Sequence, residues 1–258
     1  MKRPRRWRRI LLGVVIALVL VAGGLVAAFE TGLLLEDTAT PVSIAEVVTR
    51  FREQAHSAKG FDGVYVYVTH GEESIDALGG AHHRYPNRTS ITAVGVKCGL
   101  KLHWDALKER TATWTLCTTP QGLELHAFGV SHQFFGQGDS TSYACAGSVL
   151  LPVDESVGAK SPFHCRSDRG REAGDAKVVA FEPVPVGNVR LNAVHVQTVA
   201  HVSGGDHGTE TTDWWFDVRN GLPLQIGLAS RTSRAFALGD IHYREDATLR
   251  LVSTKPLR

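Results

Sequence analysis

The sequence predicts an α+β protein: an N-terminal transmembrane helix, then one helix packed on a large, mostly antiparallel, curved sheet resembling half a barrel. Three observations carry this prediction. A basic cluster is followed by an uncharged apolar run, one capped amphipathic helix comes next, and much of the remaining chain alternates apolar and polar residues with a period of two.

Residues 1–9 hold "KRPRRWRR", a basic tail without an acid, and residues 10–29, from Ile10 to Phe29, carry no charge. A run of that length spans a bilayer core. The basic flank should stay in the cytoplasm and the C-terminal part should lie outside, because Lys and Arg beside a span set its orientation. A cleaved signal peptide, cut after Ala28, is the competing reading, but its apolar region would be shorter. No cysteine closely follows the run, so a lipid anchor is not expected. Residues 30–42 read as a linker and 43–258 as one extracytoplasmic β-rich domain.

Charge separates the two parts. The chain has 28 basic and 26 acidic residues. Once the tail is set aside, acids outnumber bases, so the outer domain lacks the basic footprint of a nucleic-acid binder.

Ser43 and Glu46 form a capping-box pattern, and Ile44, Val47, Val48 and Phe51 share one face, which predicts a helix over 43–58, ended by Gly60. Strands follow. "GVYVYVT" sets Val64, Val66 and Val68 against Tyr65, Tyr67 and Thr69, and "AVHVQTVAHV" sets Val194, Val196, Ala200 and Val202 against His195, Gln197, Val199 and His201. Asn220-Gly221, between two apolar runs, predicts a type I′ hairpin, and Pro223 an edge strand or a late start of the returning one.

Four cysteines, an even count with no C-x-x-C, read as structural disulfides once the domain lies outside the membrane. The segment from Cys98 to Cys117 has its midpoint in the charged "DALKER" turn, so a hairpin would bring these two together and leave Cys145 with Cys165. The parity of flanking residues conflicts with a simple ladder. Leu100, Leu102 and Trp104 share Cys98's parity, whereas Trp114 and Leu116 oppose that of Cys117, and a bulge would reconcile them.

Catalytic signatures are missing: the sequence holds no G-x-S-x-G, no H-E-x-x-H and no phosphate loop. His70, His82 and His83, with Glu72, Glu73 and Asp76, would approach one another if the strands at 62–70 and 88–96 pair. Twelve histidines in the chain make chance clusters common, so these read as solvated loop residues and not as a metal site, and neither a metal nor a cofactor is expected. Phe134, Phe135 and Tyr143 cluster around two glycines and read as packing under a loop.

The strings "DALGGAHHRYP", "CGLKLHWDALKERTATWTLC" and "HQFFGQGDSTSYAC" resemble those of uncharacterised single-pass membrane proteins of actinobacteria, a likeness that implies no activity. The helix-then-sheet order and the "WWFDVRNGLPLQI" hairpin are similar to envelope carriers of the LolA and LppX type, whose curved sheet closes over an apolar cavity. With the N-terminal apolar run, the leading expectation is a non-catalytic, membrane-anchored domain that binds a lipid, another apolar small molecule or an envelope partner protein. A hydrolase or metal-dependent enzyme with an unrecognised site is the alternative. The expected cavity lies between the helix at 43–58 and the concave sheet, with Phe51 and either Trp214 or Trp215 at its wall.

Overall fold

The computed structural model describes residues 37–54, 60–153, 156–237 and 239–258. The expected transmembrane segment, 10–29, lies outside these residues. No helix among those described is long and apolar enough to cross a membrane.

One helix, α1 (Ile44–Gln54), precedes the strands β1 (Gly63–Ile75), β2 (Ala81–Arg84), β3 (Arg88–Val96), β4 (Gly99–Asp105), β5 (Arg110–Thr119) and β6 (Gly122–Phe134). The chain continues through β7 (Gln137–Pro152), β8 (Lys160–Arg166), β9 (Gly170–Val186), β10 (Val189–Gly204), β11 (His207–Asp217), β12 (Pro223–Arg234) and β13 (Ile241–Leu251). From β3 onward each strand pairs antiparallel with the next, and β13 returns to pair with β1, from Tyr67↔Leu251 to Ile75↔Tyr243. The sheet is therefore a closed barrel of twelve strands, with β2 attached beside the end of β1. The expected half-barrel is corrected to a full one. Closure leaves almost no unpaired strand edge, which local alternation cannot foretell, because it reports faces and not partners.

Alternation separates the two faces of each strand, and closure of the barrel decides which of them turns inward. Tyr65, Tyr67 and Thr69 are buried on one face of β1, and Val194, Val196, Ala200 and Val202 on one face of β10. The outer face of β1 receives the helix. Val47, Val48 and Phe51 pack with Val64 as a small cluster of their own, separate from the main core. The Glu46 amide donates to Ser43 Oγ at 3.1 Å, so half of the expected capping box is present, and Arg50 pairs with Asp105 at 2.8 Å to dock the helix. A cavity between helix and concave sheet is thereby corrected: the helix lies on the convex side. At Gly71 (φ +143°) β1 passes so close to the Asp246 carbonyl that a Cβ would collide with it, and around this point β1 changes partner from β3 to β2 on one edge while keeping β13 on the other.

Both expected disulfides are formed, Cys98–Cys117 and Cys145–Cys165. The state fits an oxidising compartment. The parity conflict has a simpler resolution than a bulge: Leu102↔Trp114 and Trp104↔Ala112 pair in an unbroken β4–β5 ladder, while Cys98 sits in the β3–β4 turn, outside the alternation. The hairpin after β11 also differs from expectation. Only Gly221 has positive φ there (+71°), so the turn is not type I′. Asp217 organises it instead, its carboxylate accepting from the Arg219 amide and its carbonyl from the Gly221 amide, and β12 starts late, at Pro223. A two-residue turn with two positive φ values occurs elsewhere, at Phe135 (+53°) and Gly136 (+71°) between β6 and β7.

Candidate ligand-binding cavity

The barrel interior is divided along its axis. Near the β9–β10 and β11–β12 turns it is filled by Val186, Phe216, Leu222 and Leu224. Towards the opposite end, where the β4–β5, β6–β7, β8–β9, β10–β11 and β12–β13 turns gather, it holds a cavity of about 70 Å³. That exceeds the space one water needs, about 10–15 Å³. Trp114, Trp214, Leu125, Phe128, Leu150 and Phe163 supply the apolar wall. Trp114 and Trp214 meet edge to face, with ring centroids 5.5 Å apart.

The polar part of the wall comes from the inward positions of strands close to the turns. Arg110, at the start of β5, is buried and makes a two-point contact with Glu245, Nε to Oε1 at 3.1 Å and Nη2 to Oε2 at 2.8 Å. Its Nε also lies 3.7 Å from Glu73, and its guanidinium sits over the Trp104 ring. Glu73 in turn contacts His83 Nδ1 at 2.9 Å and His132 Nδ1 at 2.8 Å, and accepts from the Tyr243 hydroxyl at 2.9 Å. Burial alone would raise the Glu73 carboxyl. Hydrogen bonds from the two histidines and the nearby charges of His132 and Arg110 overcome it and hold the group at about 2.

A stability dependence follows from that shift. A carboxyl held at about 2, below its ordinary 4.5, stabilises the fold fully above 4.5 and loses that contribution as pH falls through about 2. We expect Glu73→Gln to unfold in less urea than the parent at neutral pH, by about 3 kcal/mol, with the gap narrowing steadily on acidification. A constant gap across the acid range would show that the Glu73 charge is not what is being lost.

Glu172 on β9 and Glu210 on β11 face the same cavity. Glu210 accepts from the Ser230 hydroxyl at 3.1 Å, whereas Glu172, only 4% exposed, accepts no hydrogen bond from the described residues. Burial raises both carboxyls: Glu172 goes well above the usual range, with the nearby Glu210 adding to it, and Glu210 goes up with Glu245 adding and the Ser230 hydrogen bond, His132 and Arg110 opposing. Such a pair can donate hydrogen bonds while protonated and receive a cation once ionised.

The rim is held from two sides. Arg234 on β12 pairs with Asp139 on β7 at 2.8 Å and with Asp206 in the β10–β11 turn at 2.7 Å, and Arg169 of the β8–β9 turn pairs with Asp139. On the other side, residues preceding the helix run along the turns. Asp37 contacts His83 Nε2 at 2.7 Å and accepts from the Phe135 amide at 2.8 Å, Thr40 donates twice to Glu109, and Pro41 bridges to Leu107. His83 itself stacks on Phe134.

Of the residues singled out from sequence, Trp214 lines the cavity. Phe51 does not, being outside the barrel under α1, and Trp215 points outward, stacked on His195 at 4.0 Å with its indole donating to Glu182. His82 pairs with Glu72 on one face of the β1–β2 ribbon, and His83 with Glu73 on the other, where it is buried in a strand and not a solvated loop residue. Among the described residues no group of three or more His, Cys, Asp or Glu is arranged to hold a metal ion. The inward acids were missed, although a signal existed. Glu172 shares the parity of Ala176 and Val178, Glu210 that of Trp214 and Phe216, and Glu245 that of Ala247 and Leu249, so each places a carboxyl on an apolar face.

No protein-family model matches the sequence, and comparisons with curated proteins and with solved structures give no significant match.

Proposed function

We propose that this chain is a non-catalytic, membrane-tethered extracytoplasmic barrel that binds a small amphipathic molecule. The observation that carries the proposal is the cavity itself, with an aromatic and aliphatic wall on one side and carboxyl groups near the turns on the other. Specific sites take this form: a mostly apolar enclosure with a few polar groups that orient the ligand. A volume of about 70 Å³ favours a short chain or small ring over a whole lipid. The two disulfides and the basic, then apolar, N-terminal run support placement outside the cytoplasmic membrane.

The test uses the full chain in lipid nanodiscs, with trifluorobutanol as the probe and fluorine NMR as the readout. Saturable binding beyond that of empty nanodiscs is expected, weakened about tenfold or more in Ala200→Leu, because Ala200 is a buried residue of the cavity wall. Near-ultraviolet circular dichroism checks that the variant keeps its packing. Absence of saturable binding, or equal binding by a folded Ala200→Leu, would overturn the proposal.

A further inference from the structure

The cavity wall carries more carboxyl groups than the protein pairs with cations of its own. Glu172, Glu210 and Glu245 line it, against the single guanidinium of Arg110. That guanidinium is already committed, with Glu245 on two of its nitrogens, the Thr111 carbonyl on the third, and Glu73 close by. His132 is committed to Glu73. What remains is Glu172, more than nine-tenths buried, lining the cavity and without a hydrogen-bond donor among the described residues, with Glu210 beside it. Because Glu172 lines the cavity, its carboxyl can meet a molecule held there and take from it the partner that the protein does not supply.

We propose that Glu172 and Glu210 form the head-group site of the cavity and that its ligand is a small primary amine, bound as the ammonium ion with its apolar part against Trp114 and Trp214. The inference rests on the cavity reading above and names its ligand class. Three features favour a cation over a neutral hydroxyl. An ammonium group brings three donors, and so can serve Glu172 and the free positions of Glu210 together. It also brings the charge that the pair lacks, and bonds of ammonium to carboxylate are roughly twice as strong as neutral ones. Finally, burial disfavours ionisation of both carboxyls, with Glu210 adding to it at Glu172 and Glu245 adding to it at Glu210, a cost that a bound cation offsets.

The test compares trifluorobutylamine with trifluorobutanol, which share one apolar tail, on the full chain in nanodiscs by fluorine NMR. The amine should bind at least about tenfold more tightly than the alcohol. Glu172→Gln, close to isosteric, should abolish that preference, and Glu210→Gln should reduce it independently. Equal affinity for the two probes, or an amine preference that survives both substitutions, would overturn the amine assignment and leave the cavity reading standing. If neither probe binds, the cavity reading falls and the assignment with it.

Discussion

Arg110→Met should destabilise the barrel by about 4 kcal/mol, because removing one partner of a buried ion pair strands the other. Arg110 and Glu245 are both almost fully enclosed, and Glu73 is entirely so. Without the guanidinium, two carboxylates would stay in the interior with only His83, His132 and two tyrosine hydroxyls around them. The double variant Arg110→Met, Glu245→Met should recover much of the loss, since replacing a whole buried pair by apolar groups is often close to neutral. Urea unfolding of the two variants and the parent checks both halves. A loss under about 1 kcal/mol in the single variant would mean that water reaches this cluster freely, contrary to its burial.

Removing both disulfides should cost about 6 kcal/mol in total, taking about 3 kcal/mol for each closed loop. The loops are nearly equal, with sequence separations of 19 and 20, so chain entropy alone predicts equal effects. Packing should break the tie. Cys145 and Cys165 are fully buried within the main core, whereas Cys98 is exposed in a turn. Replacing Cys145 and Cys165 by alanine should therefore cost more than the same change at Cys98 and Cys117, by about 1 kcal/mol for the void left behind. Unfolding midpoints of the two double variants decide this, and an equal or reversed order would remove packing from the account.

The elements differ in how far they can be read from the residues. Faces of strands were legible wherever two or three apolar residues alternate, as in β1 and β10, because the pleat leaves no other arrangement. The Cys98–Cys117 pairing was legible because a turn signal sat midway between the cysteines. Closure of the barrel was not, since the β1–β13 ladder joins segments that are far apart in the chain and carries no local mark. The helix illustrates the same limit. Its apolar face was plain from Val47, Val48 and Phe51, but a helix can cover either side of a curved sheet, and nothing in those residues says that Val64 on the outside would receive them. The cavity was missed for a related reason: Trp114, Glu172, Glu210 and Glu245 come from four strands and meet only once the barrel is closed.

The strap formed by Asp37, Thr40 and Pro41 along the turns has a geometric consequence. If residues 10–29 span the bilayer as proposed, only eight peptide steps separate Phe29 from Asp37, a leash of about 28 Å at full extension. The strap fastens the end of that leash beside the cavity, at the pole opposite the apolar plug of Val186, Phe216, Leu222 and Leu224. The barrel is then moored by its opening, held over the membrane surface with little freedom to turn away, and a solute leaving the interfacial water would have only a short distance to travel to Glu172.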